Sequence, residues 1–79
     1  MAWYTYILLS KKDGRYYYGS CGNLDRRLYD HNSGKVKATK YRSTLTVYYF
    51  EEFETRSDAF RREMFFKSID GYKWLKQKK

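Results

Sequence analysis

The chain has 79 residues, a formal charge of +8 at neutral pH, 22% aromatic residues and one cysteine. That length allows a single small domain, 1–79, with a thin core in which bulky aromatic side chains supply much of the buried area. The composition excludes an internal disulfide framework and an apolar run able to span a bilayer, and so large a positive charge points to an anionic partner.

The N-terminal stretch WYTYILL, residues 3–9, reads as a mostly apolar strand. It is not a signal peptide: the apolar run is too short, and the basic Lys11 and Lys12 follow it instead of preceding it. KKDG at 11–14 is a turn signal, and RYYYGS at 15–20 reads as the returning strand of a β-hairpin. An even loop places Tyr6 and Tyr17 on one face, because side chains alternate along a strand. Cys21 reads as a small, half-buried residue rather than a nucleophile, and a lone thiol suits a reducing cytoplasm.

A helix is expected within GNLDRRLYDHNSG, residues 22–34, with Asn23 as N-cap and Gly34 after the last turn. Leu24, Leu28 and His31 fall on one stripe of it, with Arg27 at the edge. Arg27 and His31 stand one turn apart. A guanidinium can hold a phosphate by two hydrogen bonds, and an imidazole can exchange a proton near neutral pH. A lone histidine is also a common structural hydrogen-bonder, and that alternative stays open. Residues 35–44 read as a basic loop: either Lys35, Lys37, Lys40 and Arg42 neutralise phosphates and Tyr41 stacks on a base or donates a hydrogen bond, or the segment is simply solvated.

LTVYYFEEF at 45–53 reads as a third strand, with Leu45, Val47 and Tyr49 alternating with Thr46 and Tyr48. A second helix should open at Thr55, paired with Asp58 in a capping box, and run to about Ile69. Gly71 is expected to close it, and YKWLKQKK to form a short terminal helix with Trp74 turned inward. On the second helix Ala59, Phe60, Met64 and Phe66 make an apolar arc with Glu63 at its middle. A carboxylate there is costly unless it is paired or binds a metal. Its oxygens suit Mg²⁺ or Mn²⁺, and the competing readings are a salt bridge to Lys67 or Arg27, or an arc that is exposed at this point. The order β-β-α-β-α-α predicts an α+β domain, a small three-stranded, mainly antiparallel sheet flanked by helices.

With these residues in place the chain resembles the GIY-YIG nuclease superfamily, in the manner of its short single-domain members. YTY at 4–6 stands where the family has GIY, and YYG at 17–19 where it has YIG. LDRRLYDHNSGK at 24–35 is similar to the family's first helix, and DAFRREMFFK at 58–67 to the helix that carries its metal-binding glutamate. Tyr4, Thr5, Tyr18 and Ser20 depart from the pattern, and no late asparagine follows Asn32.

The resemblance implies an endonuclease that hydrolyses a phosphodiester bond with Mg²⁺ or Mn²⁺. It assigns the metal to Glu63, phosphate charge to Arg27, the scissile phosphate's surroundings to Tyr6 and Tyr17, and a further acid, base or phosphate contact to His31. Which tyrosine acts as base stays open. Lys67 joins the basic loop as a nucleic-acid contact. The implied partner is nucleic acid, DNA before RNA, with no membrane and with weak sequence preference or a protein partner that supplies specificity. DNA repair in the cytoplasm would suit such a nuclease. The alternative is a noncatalytic nucleic-acid-binding module on the same scaffold, and a third is a protein-interaction domain whose charge serves only solubility.

Overall fold

A computed structural model describes residues 2–36 and 44–78. The elements follow the expected order: β1 (Trp3–Ser10), β2 (Tyr16–Cys21), α1 (Leu24–Asn32), β3 (Leu45–Phe53), α2 (Arg56–Phe66) and α3 (Ile69–Lys78). The three strands form one antiparallel sheet in the order β2-β1-β3, an α+β arrangement. β1 takes the centre because its run of apolar residues is buried on both faces, with Thr5, Tyr6, Ile7 and Leu8 at 2% exposure or less.

The hairpin closes as Ser10 donates to the Arg15 carbonyl and Gly14, at φ 72°, donates back to Ser10. Only glycine adopts that φ without a Cβ penalty. The resulting register pairs Tyr6 with Gly19 and Leu8 with Tyr17, so Tyr6 and Tyr17 share a face as the even loop predicted. Tyr16 and Tyr18 point to the other.

β3 departs from the simple alternation. Ile7 pairs with Tyr49 but Leu8 pairs with Val47, so Tyr48 is an extra, bulged residue. Leu45 and Val47 face α1 with Tyr6 and Leu8. Tyr49, expected beside them, is turned to the opposite face, where it packs on Phe66 and Trp74. The bulge also turns Glu51 toward α2, where Arg62 holds it at 2.8 and 3.2 Å.

Each helix is started by its cap. The Asn23 side chain accepts from Arg26 N–H at 3.0 Å, and Thr55 Oγ1 accepts from Asp58 N–H at 3.1 Å. The Asp58 carboxylate pairs with Arg61 at 3.7 Å. Gly34, at φ 81°, donates to the His31 carbonyl and ties off α1.

Two expectations for the C-terminal region are corrected. α2 ends at Phe66, and Gly71 lies inside α3 instead of closing its predecessor. Ser68 makes the break: its hydroxyl accepts from Gly71 N–H at 3.2 Å and caps α3. Gly71 is buried against the end of α2, and glycine is required there because a Cβ would collide with the Phe65 carbonyl and stand 2.5 Å from the Phe66 Cα. The apolar arc of α2 is also narrower than the helical wheel indicates. Ala59 and Phe66 are buried, but Phe60 and Met64 are 52% and 42% exposed. The helix is phased by Thr5, whose hydroxyl donates to the Ala59 carbonyl at 2.6 Å. That phase keeps Glu63, one turn beyond Ala59, on the side facing the sheet.

Two small cores result. On one face Tyr6, Leu8 and Leu45 pack with Tyr17, Leu24, Leu28 and Val47. On the other, Ile7, Phe66 and Leu75 are surrounded by Tyr18, Tyr49, Phe65 and Trp74.

Candidate active site

Tyr6 is the centre of a polar cluster on the α1 face. Its ring crosses from the central strand over β2 at Gly19, where a Cβ would stand 2.5 Å from the Tyr6 Cζ and collide with its hydroxyl. Gly19 is therefore required by the phenol lying against it. The hydroxyl accepts from Arg27 Nε at 3.3 Å and lies 3.1 Å from His31 Nε2. Both residues come from α1, one turn apart, on the stripe turned toward the sheet.

The protonation pattern follows from these contacts. Burial pushes the Tyr6 phenol above its usual range, against the lowering effect of Arg27, and the charge of Glu63 adds a smaller upward push. Burial, and then the positive charge of Arg27, lower His31, against a smaller raising effect of Asp30. At neutral pH the favoured state has Tyr6 protonated and His31 neutral. Arg27 can only donate, so the Tyr6 oxygen accepts from it, and the His31 tautomer with its proton on Nδ1 would accept from the phenol at Nε2. The tyrosine in turn raises Arg27 further, keeping it a fixed cation.

Asn32 places His31. Its side-chain amide donates to the Leu45 carbonyl at 3.0 Å and accepts from Leu45 N–H at 2.7 Å, locking the end of α1 to the start of β3. Sequence reading noted Asn32 only as the chain's last asparagine, since the partner lies across the 33–44 segment.

Glu63 approaches from the opposite face. Its Oε1 accepts from Ser20 Oγ at 2.7 Å and its Oε2 from Lys67 Nζ at 2.8 Å. The carboxylate is 13% exposed and Lys67 47%. Ser20 is adjacent to Gly19, so Tyr6 and Glu63 reach neighbouring residues of the edge strand from its two sides. Ser20 was noted in the sequence only as a departure from a lysine, and no local signal marks it as the partner of Glu63.

The other expected residues fall as follows. Tyr17 is half-buried on the α1 face, packed against the core around Tyr6 and Leu8. Lys35 is exposed, lies 3.9 Å from Asp30 and covers the Tyr29 ring. Lys37, Lys40, Tyr41 and Arg42 lie outside the described residues. Burial raises the Cys21 thiol, which agrees with a packing role rather than a nucleophilic one.

Among the described residues no group of three or more His, Cys, Asp or Glu side chains could hold a metal. A lone carboxylate still fits Mg²⁺, which keeps most of its waters and takes its other ligands from a phosphate. Glu63 would supply that one ligand, with Oε2 released from Lys67. Among the described residues no helix is long and apolar enough to cross a membrane.

The family model of the GIY-YIG catalytic domain matches residues 2–75. UPF0213 protein SSP2268 of Staphylococcus saprophyticus is 38% identical over 74 residues, covering 92% of this chain and 89% of the relative. UPF0213 protein lwe0147 of Listeria welshimeri is 40% identical over 65 residues, covering 81% of this chain and 72% of the relative. The solution NMR structure of UPF0213 protein BH0048 from Bacillus halodurans matches with a TM-score of 0.58 and 34% identity, over 100% of this chain and 86% of that one.

Proposed function

This chain belongs to the GIY-YIG catalytic domain family, a nuclease family, and on that premise we propose that it is a divalent-metal-dependent endonuclease acting on DNA. The observation that best supports the reading is the Tyr6 hydroxyl joined to both Arg27 and His31, with Glu63 reaching the adjacent Ser20.

Hydrolysis adds water to phosphorus, spreads negative charge over the phosphate oxygens and breaks a P–O bond whose leaving oxygen takes a proton. Arg27 meets that charge. Its Nε is committed to Tyr6, which orients the guanidinium and leaves Nη1 and Nη2 to face a phosphate. Tyr6 is buried and keeps its proton, so it holds Arg27 and His31 in place. Tyr17 is half-buried on the same face, and the hydroxyl that meets the substrate is assigned to it. His31, neutral, has its Nε2 occupied by the Tyr6 hydroxyl, so a proton it takes up arrives by way of Tyr6, which passes its own on and is reprotonated. Glu63 would hold Mg²⁺ or Mn²⁺, which when bound supplies positive charge to the phosphate and acidifies water. Lys67 and Lys35 would then serve the strand's phosphates. A structure-directed cut of branched, nicked or single-stranded DNA in the cytoplasm would suit repair or recombination.

One observation favours a noncatalytic binder instead: Glu63 is already satisfied by Ser20 and Lys67. Cleavage of labelled linear, nicked, branched and single-stranded DNA in Mg²⁺ or Mn²⁺, with Glu63→Gln beside the wild type, separates the two. The nuclease reading expects cutting by the wild type and binding alone by the variant. Binding without cutting by both, in every substrate and metal, would give the binder the lead.

A further inference from the structure

On the α2–α3 face of the sheet, where β2 meets α3, lies a cavity of about 290 Å³ lined by Arg15, Tyr16, Tyr18, Tyr72, Leu75 and Lys76. We infer that this cavity binds one unpaired nucleotide of single-stranded nucleic acid, the base against the tyrosines and the phosphate between Arg15 and Lys76. Leu75, buried, is its floor. The tyrosines of β2 are held from behind: Tyr18 is stacked on Phe66, with ring centroids 6.2 Å apart, and Tyr16 sits edge-on to Tyr48 at 5.2 Å. Walls fixed before binding cost little to order. Tyr72 is 59% exposed, and Lys76 Nζ lies 5.6 Å over its ring. The Arg15 side chain is 70% exposed, its charge only loosely met by Asp13 at 3.9 Å.

The lining holds two cations and three phenols and no acidic residue. That combination selects the ligand class. A phosphate alone would use the cations and ignore the rings. A base with its phosphate uses both, since every base has a π face that stacks on an aromatic side chain. A duplex keeps its bases stacked inside and cannot offer one to so small a cavity.

Position supports the assignment. Tyr17 points to the face of Tyr6 and Arg27, whereas Tyr16 and Tyr18 point away from it. β2 is the edge strand, so a single strand leaving the active face crosses only β2 to reach the cavity. The inference rests on nucleic acid being the partner of the proposed nuclease, and not on cleavage itself.

Fluorescence anisotropy with a labelled oligothymidylate of about ten nucleotides, in the absence of divalent metal, tests it directly. Tyr72→Ala should weaken binding roughly 5- to 100-fold, the loss of one stacked base, while a duplex of equal length binds within about twofold of wild type. Arg15→Glu, in the exposed hairpin turn, should also weaken the oligothymidylate and serves if Tyr72→Ala fails to fold. Amide NMR signals of Tyr16, Tyr72 and Lys76 should shift on titration. Unchanged oligothymidylate affinity in both variants, equal losses on duplex and single strand, or equally tight binding of polyglutamate would each overturn the inference. Wild-type protein that binds the oligothymidylate here yet cuts no substrate would overturn the nuclease reading and leave this one standing.

Discussion

The two faces of the sheet use the same residue type for opposite ends. On the α2–α3 face the rings touch rings: Phe66 lies 5.1 Å from Trp74 and Tyr49 lies 5.1 Å from Trp74, with Arg62 laid over Phe65 and Phe66. On the α1 face the buried tyrosine touches charge and imidazole instead. Aromatic pairs of the first kind contribute about 0.5–1.5 kcal/mol each beyond their buried area. A buried polar cluster depends instead on every partner being present, since a group left unpaired in low dielectric is costly. The α2–α3 face thus holds the larger aromatic core, with Glu63 at its edge, and the α1 face holds the polar cluster around Tyr6.

Two glycines test that division most severely. Gly71→Ala pushes a methyl group into the backbone of α2, which cannot rotate away. We expect a loss of about 3 kcal/mol, read as a lower Tm in thermal unfolding. Gly19→Ala pushes a methyl group into the Tyr6 ring, which can swing aside at the expense of its contacts to Arg27 and His31. Here the stability loss should be smaller, about 1–2 kcal/mol, while cleavage under folded conditions falls by about 100-fold or more. Equal damage to folding by both changes would erase the distinction between the faces.

Arg62→Ala comes next. It strips Glu51 of a bidentate partner and uncovers Phe65, Phe66 and Trp74, and both members of the pair are about three-quarters shielded from solvent. A loss of about 1–2 kcal/mol is expected in denaturant titration, with cleavage of the folded protein unaffected. Tyr6→Phe removes only a hydroxyl, and should cost about 1 kcal/mol in stability. Its larger effect is on cleavage, through a misdirected Arg27.

The smallest effect is one of pH. His31 releases its proton at lower pH when folded than the value near 6.5 of an unfolded chain. Between those two values the unfolded chain binds more protons, so stability rises with pH there. Acidification from neutrality should lower Tm through that window and then stop lowering it on this account. His31→Gln should flatten that part of the profile, and an unchanged slope would show that His31 is not held neutral.

The strand and helix order was legible because caps and periodicity are local: Asn23, Thr55 and Gly34 act within a few residues of themselves. The tyrosine pair across the hairpin was legible for the same reason, once the loop was even. What escaped reading depends on distance or on an ambiguous pattern. The bulge at Tyr48 leaves no mark in a run where Val47, Tyr48, Tyr49 and Phe50 are all apolar or aromatic. Phe60 and Met64 look like core on a wheel, but the wheel cannot know that Thr5 fixes the helix phase at Ala59. Ser20 and Asn32 act on partners far along the chain, so their roles appear only in three dimensions.

The clasp between Asn32 and Leu45 has a consequence for how such a chain tolerates change. It fastens the two ends of the 33–44 segment to each other, directly beside His31. Lengthening or shortening the chain between these anchor points need not move the imidazole. Doubling a connecting segment costs only about 0.6 kcal/mol in closure entropy. The segment is thus a place where residues can be inserted, a tag or a recognition element among them, with the geometry around Tyr6 left as it is.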